Sequence, residues 1–162
     1  MVPLIRKAEV ADKEAIWEII SLVIRKGDTY VFAPDSSKED MLRYWYATGT
    51  YSFVAELEGK LVGTFIFKAN QPGLGSHVAN ASFMVHPEMQ GQGIGRILGE
   101  AALKEAKEAG FLAMQFNIVV STNTGAKYLW DKLGFTTIGR LPKVFRHPQF
   151  GLVDAFIMHR FL

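Results

Sequence analysis

Hydrophobic positions along the chain alternate between helical spacing and strand spacing. Apolar residues three or four positions apart predict helices over about 11–25, after Ser37, over 94–109 and over 124–132. Runs rich in β-branched and aromatic residues predict strands, and the run over 112–120 also alternates between two faces. These strands cover 2–6, 51–57, 61–68, 77–85, 112–120, 135–141 and 152–161. The elements therefore follow the order βααβββαβαββ.

The lengths of the connections predict how the strands pair. Glu58-Gly59-Lys60 is a short turn between two strands, which is typical of an antiparallel hairpin. A helix separates the strands 77–85 and 112–120, so this βαβ unit should pair in parallel. The segment Pro142–Gly151 is interpreted as a loop between the last two strands. We expect a mixed α/β sheet within a single domain that covers residues 1–162.

Composition and charge exclude several classes of function. The 162 residues include no cysteine, which excludes a thiolate nucleophile, a disulfide scaffold and a cysteine-based zinc site, and no metal site is expected. The formal net charge is +2 and no basic block occurs, so we expect no nucleic-acid partner. No apolar run approaches the ~20 residues that span a bilayer, so we expect no membrane association. A cytoplasmic enzyme or binding protein is the favoured class.

The segment Val85–Arg96 joins a predicted strand to a predicted helix and contains clustered glycines. Gly91, Gly93 and Gly95 allow a positive φ and a close approach of a ligand to the backbone. The first N–H groups of a helix lack intrahelical partners and lie at its positive end, so this segment suits a pyrophosphate. Its spacing matches neither a P-loop nor the strict Rossmann pattern. The alternative is a tight turn that lets the helix pack closely on the sheet.

Two motifs together resemble one family. Gln90-x-x-Gly93-x-Gly95, preceded by Val85-x-Pro87, resembles the acetyl-CoA signature of the GNAT (Gcn5-related) N-acetyltransferases. Asn123-x-x-Ala126-x-x-Leu129-Trp130-x-x-x-Gly134-Phe135 is similar to the later motif of that family, N-x-x-A-x-x-L-Y-x-x-x-G-F. The resemblance covers nearly the whole chain and is strongest over 83–135. It implies the GNAT fold, a mixed central sheet with helices on both faces and a splayed parallel pair formed by the fourth and fifth strands.

The resemblance implies acetyl-CoA (coenzyme A) as the cofactor and indicates which residues contact it. Backbone groups of Phe83, Met84 and Val85 are expected to bond the pantetheine amides between the splayed strands. The pyrophosphate is expected beside Gln90 and on the backbone N–H groups of Gly91, Gln92, Gly93, Ile94, Gly95 and Arg96. Asn123 is expected to contact the cofactor arm, and a helix N-cap is its alternative role.

The resemblance also implies direct transfer of the acetyl group from acetyl-CoA to an amine within a ternary complex. The N–H of Val85 is the candidate that polarises the thioester carbonyl. Trp130 takes the position of the family's usual tyrosine and is expected to flank the thioester, with core packing as the alternative. Because an indole N–H is a donor that cannot deliver a proton at working pH, the general acid is unassigned.

The general base is open among several residues. Asp154 lies in an apolar strand, where a carboxylate faces either a site or a costly burial, and an anchor for Arg140 or another basic residue is its alternative role. A water path through Asn80 would also serve. The remaining candidates are His147, His86 and Asp28.

Members of the family place the acceptor between the loop that joins the first two helices and the loop before the last strand. These loops carry the expected substrate-binding residues Asp28, Tyr30, Phe32, Phe145, Arg146 and His147. Asp28 suits an ammonium and Arg146 or Lys143 suits a carboxylate, so a small amino-acid-like amine is the favoured acceptor. The alternatives are a catalytically weak acyl-CoA-binding or regulatory module and a protein N-terminal or lysine acetyltransferase. A homodimer is expected from the family and from the aromatic-rich final third.

Overall fold

The predicted order of strands and helices is confirmed. The computed structural model describes all 162 residues. Its strands are β1 (Leu4–Lys7), β2 (Tyr51–Leu57), β3 (Lys60–Ala69), β4 (Val78–Val85), β5 (Ala113–Val120), β6 (Thr136–His147) and β7 (Gly151–Phe161). Its α-helices are α1 (Lys13–Arg25), α2 (Lys38–Trp45), α3 (Ile94–Glu108) and α4 (Thr124–Lys132). None of the four is long and apolar enough to cross a membrane.

The seven strands form one sheet in the order β1-β2-β3-β4-β5-β7-β6. Every neighbouring pair is antiparallel except β4 and β5. This parallel pair is joined at only two positions, Val78 with Ala113 and Ala79 with Met114, and the strands then separate. The mixed α/β fold with a splayed parallel pair is therefore confirmed.

Two layers of helices cover the sheet, one on each face. On β3 the side chains alternate, so that Phe65 and Phe67 belong to one buried cluster and Ile66 belongs to the other. The cluster around Ile66 contains the apolar faces of α1 and α2. The cluster around Phe65 contains those of α3 and α4, including Leu98 and Trp130. Both faces of the sheet are thus packed, and the gap between β4 and β5 lies between the two layers.

One predicted boundary is wrong. The sequence pattern assigns Pro142–Gly151 to a loop, but β6 continues to His147 and only residues 148–150 form the turn. The strand contains a large bulge. Leu141 pairs with Ala155 and the next paired residue, Phe145, pairs with Val153, so three residues of β6 lie opposite one residue of β7. Lys143 adopts a φ of 50° within this bulge. The extra residues shift the alternation of buried and exposed side chains, which conceals the strand in the sequence.

Candidate active site

A cavity of about 820 Å³ opens where β4 and β5 separate. Its walls are formed by β4, β5, the loop between α1 and α2, the glycine segment before α3 and the first turns of α4. Asn80 lies where the ladder between the two strands ends, and its Nδ2 donates to the carbonyl oxygen of Gln115 at 3.0 Å. This side chain bridges the two strands at one end of the gap and lines the cavity, and its part in a water path stays a prediction.

Alternation along β4 decides which backbone groups face the cavity. The N–H of His86 donates to Val62 at 2.9 Å and the carbonyl of Val78 accepts from Asn70 at 2.8 Å, both on the side of β3. Because backbone groups alternate in direction along a strand, the even positions face β3 and the odd positions face the gap. The expectation for Met84 is therefore corrected, since its N–H and carbonyl point to β3. Ala81, Phe83 and Val85 are the residues of β4 whose backbone groups face the gap.

The hydroxyl of Tyr30, in the loop between α1 and α2, binds both polar backbone groups of Phe83. Its hydroxyl donates to the carbonyl oxygen of Phe83 and accepts from the N–H of the same residue at 3.0 Å. Burial raises the pKa of Tyr30 to about 12, so the hydroxyl stays protonated and keeps its donor role near neutral pH. The loop is thus fastened to β4 by a reciprocal pair of hydrogen bonds, and the groups at Ala81 and Val85 are left facing the gap.

Replacement of Tyr30 by Phe is expected to lower the free energy of unfolding by about 1–2 kcal/mol. The substitution removes two hydrogen bonds to the half-buried backbone of Phe83, and a typical intramolecular hydrogen bond contributes about 0.5–1.5 kcal/mol. Chemical denaturation measures the change. Tyr44→Phe is the matched control, because the hydroxyl of Tyr44 makes no hydrogen bond in the structure. An equal loss in both variants would show that the Phe83 contact contributes nothing.

The glycine segment presents a row of free backbone donors. The N–H groups of residues 91–96 take part in none of the hydrogen bonds of the chain, and the first bond of α3 is that of Ile97 to the carbonyl of Gly93 at 3.2 Å. Gly91 and Gly93 have φ values of 76° and 81°, a region that is unfavourable for other residues. A Cβ at either position would meet no atom within 4 Å. The segment is therefore shaped by its backbone rather than by packing, and its donors suit an anion.

The predicted pyrophosphate residues divide into two groups by position. Five of them line the cavity, namely Gln90, Gly91, Gly93, Ile94 and Gly95. Gln92 and Arg96 lie outside the lining, and the Nε of Arg96 binds Glu100 at 2.8 Å on the exposed surface of α3. Their backbone N–H groups take part in no hydrogen bond of the chain, and their contact with the pyrophosphate through the main chain stays a prediction.

Both predicted cofactor residues at α4 line the cavity and also have structural roles. The Oδ1 of Asn123 accepts from the N–H of Ala126 at 3.3 Å, which makes Asn123 the N-cap of the helix. Trp130 is 8% exposed, and its ring centroid lies 4.8 Å from that of Phe83 and 4.6 Å from that of Phe116. Trp130 thereby joins the two splayed strands across the base of the gap. Asn123 is thus an N-cap and Trp130 is packed in the core, and because both also line the cavity, their contact with the cofactor stays a prediction.

The first predicted acceptor loop does reach the cavity. Asp28, Tyr30 and Phe32 all line it. Gly27, with a φ of 65°, ends α1 and turns the chain so that Asp28 enters the wall. The rings of Tyr30 and Phe32 are stacked with centroids 6.1 Å apart, and Phe32 meets Tyr44 edge-on at 5.2 Å. One side of the cavity is therefore an aromatic wall with a carboxylate beside it.

The second predicted acceptor segment does not reach the cavity. Phe145, Arg146 and His147 lie on the edge strand β6, and none of them lines the opening. The Nδ1 of His147 accepts from the N–H groups of Gln149 and Phe150 at 3.1 and 3.2 Å. The expectation that these residues face the acceptor is therefore wrong, because it requires Pro142–Gly151 to be a loop and the strand carries them away.

Asp154 is likewise absent from the lining of the cavity, and its carboxylate is already bound. Its Oδ1 accepts from the N–H of Lys143 at 2.9 Å, and its Oδ2 accepts from the Nε of Arg140 at 2.6 Å. These two bonds, the backbone one first, hold the pKa of Asp154 below its usual range, which makes the carboxylate a weaker base. The structure assigns Asp154 to stabilisation of the bulge in β6, the anchor role rather than proton transfer.

Several lining residues lie outside the predicted set of site residues, and three of them matter for the chemistry of the cavity. Ala81 would follow from alternation along β4 once Phe83 and Val85 are placed. Tyr44 carries helical spacing that indicates core, and only the position of the neighbouring loop makes it part of the wall. Lys26 begins the loop predicted to face the acceptor but is not among the predicted site residues, and it is the only lysine or arginine side chain in the lining.

Comparisons with known proteins bear on this arrangement. The sequence model of the acetyltransferase (GNAT) family matches residues 15–135. A GCN5-related N-acetyltransferase from Kribbella flavida superposes with a TM-score of 0.93 and 39% identity, over 99% of this chain and 98% of that one. The structure of yncA from Salmonella typhimurium with its cofactor acetyl-CoA superposes with a TM-score of 0.88 and 28% identity, over 100% and 95% of the two chains.

Part of this chain is also similar to a longer N-acetyltransferase. N-acetyltransferase aca1 from Schizosaccharomyces pombe is 41% identical over 98 residues, which are 60% of this chain and 47% of that protein. The matched region spans less than half the length of this protein and of two other curated relatives.

Proposed function

This chain belongs to the acetyltransferase (GNAT) family, whose members use acetyl-CoA, and we propose that residues 1–162 form one domain that acetylates the amine of a small molecule. The free N–H groups of residues 91–96 beside an open gap in the sheet carry the proposal. Six donors in one segment at the positive end of α3 fit a pyrophosphate, and the gap beyond them fits an extended arm.

Different residues bind the different parts of acetyl-CoA along the cavity. The glycine segment holds the diphosphate through its main chain, and Ala81 and Val85 offer backbone groups to the amides of the arm. Bound acetyl-CoA supplies an activated acetyl group as a thioester. The N–H of Val85 faces the gap and is the candidate donor to the carbonyl oxygen of that thioester, where negative charge develops during attack. Trp130, Phe83 and Phe116 exclude water from the base of the gap.

The acceptor class follows from the other end of the cavity. Asp28, Tyr30, Phe32 and Tyr44 form a compact wall with one carboxylate and three rings. Such a wall favours a small cationic amine, because ring faces and a carboxylate both attract an ammonium. Lys26 replaces Arg146 and Lys143 as the cation that would meet a carboxylate, so an amino-acid-like acceptor remains the favoured one.

Replacement of Lys26 by Gln is expected to raise the KM for an amino acid three- to fivefold without changing kcat. An exposed ion pair contributes about 1 kcal/mol or less, which limits the effect to about fivefold. Steady-state kinetics with an amino acid and with the corresponding decarboxylated amine provide the comparison. The KM of the decarboxylated amine should stay unchanged, since that molecule has no carboxylate. Equal changes for both acceptors would contradict the assignment of Lys26.

A panel of acceptors tests the proposed function. The purified chain is incubated with acetyl-CoA and, separately, with amino acids, their decarboxylated amines, and peptides with a free N-terminus or a lysine. Release of the CoA thiol is followed and the product is identified by mass. Turnover of the small amines above the peptides is expected. Saturable binding of acetyl-CoA without turnover of any acceptor would favour the binding or regulatory module instead, and preference for peptides would favour a protein acetyltransferase.

Two further expectations belong to this proposal. A homodimer is proposed because large apolar side chains are exposed on β6, β7 and the turn between them, among them Ile138, Phe150 and Leu152. Light scattering in solution measures the mass that decides this. A cytoplasmic location is proposed from the composition, since a chain without cysteine needs no oxidising compartment for disulfide formation.

A further inference from the structure

The cavity contains one carboxylate that nothing in the chain satisfies. The Oδ1 of Asp28 is buried and has no hydrogen-bond partner, and Asp28 forms no salt bridge. Buried polar atoms are nearly always paired, because an unpaired one loses its hydration without compensation. An unpaired carboxylate oxygen in the wall of a cavity therefore points to a ligand that donates to it.

The other candidate bases are excluded by their positions and contacts. Asp28 is the only acidic residue in the lining of the cavity, and no histidine is part of that lining. Asp154 and His147 lie on or beside the edge strand β6 and are occupied by main-chain donors. The Nδ1 of His86 accepts from the N–H of Glu88 at 3.3 Å, and its Nε2 lies 3.9 Å from a carboxylate oxygen of Glu18.

We propose that Asp28 binds the ammonium of the acceptor and accepts the protons that it loses during acetyl transfer. The inference rests on the proposed function, since it assigns the base for that same reaction. A carboxylate is a hydrogen-bond acceptor that an ammonium can meet with a charge-assisted bond. The rings of Tyr30, Phe32 and Tyr44 line the same cavity as Asp28. The faces of such rings attract an alkylammonium, so they add to the attraction of the carboxylate.

The proton balance of the reaction gives Asp28 two tasks. An ammonium that becomes an amide loses two protons. Asp28 takes the first before attack and passes it to solvent, which leaves a neutral amine with a free electron pair. That pair forms the C–N bond to the acetyl carbon, the C–S bond breaks, and the sulfur keeps the electrons of that bond. Asp28 takes the second proton as the C–N bond forms and releases it through solvent, and the thiolate of CoA takes up one proton from solvent to leave as the thiol.

Binding measurements that need no turnover test this assignment. Isopentylamine and 2-phenylethylamine are titrated into the chain with saturating CoA, and heat is recorded by calorimetry. Asp28→Asn keeps the shape of the side chain and removes its charge. Asp35→Asn is the matched control, because Asp35 lies in the same loop, is exposed and does not line the cavity. At least one amine should bind the wild type and Asp35→Asn with equal affinity. Its affinity for Asp28→Asn should be lower by about tenfold or more.

A comparison within the wild type covers the case in which Asp28→Asn does not fold. The alcohols 3-methylbutanol and 2-phenylethanol have nearly the same shape as the two amines but carry no charge. The amines should bind about tenfold or more tightly than the alcohols. Equal affinity for amine and alcohol, equal affinity of Asp28→Asn and wild type, or no binding of either amine to the wild type would overturn the assignment. Failure of the proposed function is a separate result, namely no thiol release from acetyl-CoA with any acceptor.

Discussion

Gly93→Trp is expected to weaken binding of acetyl-CoA at least about 100-fold. Gly93 is the N-cap of α3 and lines the cavity, and its φ of 81° lies in a region that side chains rarely adopt. A tryptophan there projects into the space in front of the free N–H groups of residues 91–96. Loss of two charge-assisted hydrogen bonds to phosphate oxygens, at about 1.5 kcal/mol or more each, accounts for a change of this size. Calorimetric titration with acetyl-CoA measures it.

The control separates loss of the binding site from strain in the backbone. Gly49 has a φ of 82°, and a Cβ added there, as at Gly93, would meet no atom within 4 Å, but Gly49 lies in the turn after α2 and outside the cavity lining. Gly49→Trp therefore carries the same strain of about 1–2 kcal/mol as Gly93→Trp. Both variants should lose similar stability, and only Gly93→Trp should lose the cofactor. Normal binding by Gly93→Trp would remove the glycine segment from the cofactor site.

Trp130→Ala is expected to lower the free energy of unfolding by about 3–5 kcal/mol. The ring is nearly buried and packs on Phe83 of β4 and Phe116 of β5, at the place where no hydrogen bonds join the two strands. Removal of the ring leaves a large void at the base of the gap and releases the two strands from each other. Chemical denaturation gives the change in stability, and calorimetry with acetyl-CoA gives the accompanying loss of affinity.

Tyr128 provides the comparison on the same helix. It is 65% exposed, so Tyr128→Ala should change the stability by less than about 0.5 kcal/mol. Trp130→Phe keeps an aromatic ring in place and should retain most of the stability that Trp130→Ala loses. A loss below about 1 kcal/mol in Trp130→Ala would mean that the ring does not hold the two strands together.

The fold and the cofactor end of the cavity follow from the sequence because their signals are local. Gly91 and Gly93 allow backbone conformations that few other residues adopt, and the start of the helix after them supplies the donors. The parallel pair of β4 and β5 follows from the helix between them, since a parallel connection needs a crossover. Backbone groups of adjacent residues in a strand point in opposite directions, so Met84 and Val85 cannot both face the gap.

The acceptor end is harder to predict because long-range contacts determine it. Nothing near Tyr30 in the sequence indicates that its hydroxyl binds Phe83, 53 positions away. The bulge at Lys143 breaks the alternation of β6, so in the sequence a strand resembles a loop that offers Arg146 to a substrate. Asp154 stands among apolar residues, a setting that suggests a functional carboxylate, whereas the main chain of the bulge is its partner.

A crystal structure of the chain grown with CoA tests most directly whether the gap between β4 and β5 is the cofactor site. Density for the diphosphate should lie against the N–H groups of residues 91–96. Density for the pantetheine arm should pass between the strands beside Ala81 and Val85, and its thiol should end near Asp28 and Trp130. CoA bound elsewhere on the chain, with the gap between the strands empty, would contradict the assignment of the site and of the acceptor cavity that depends on it.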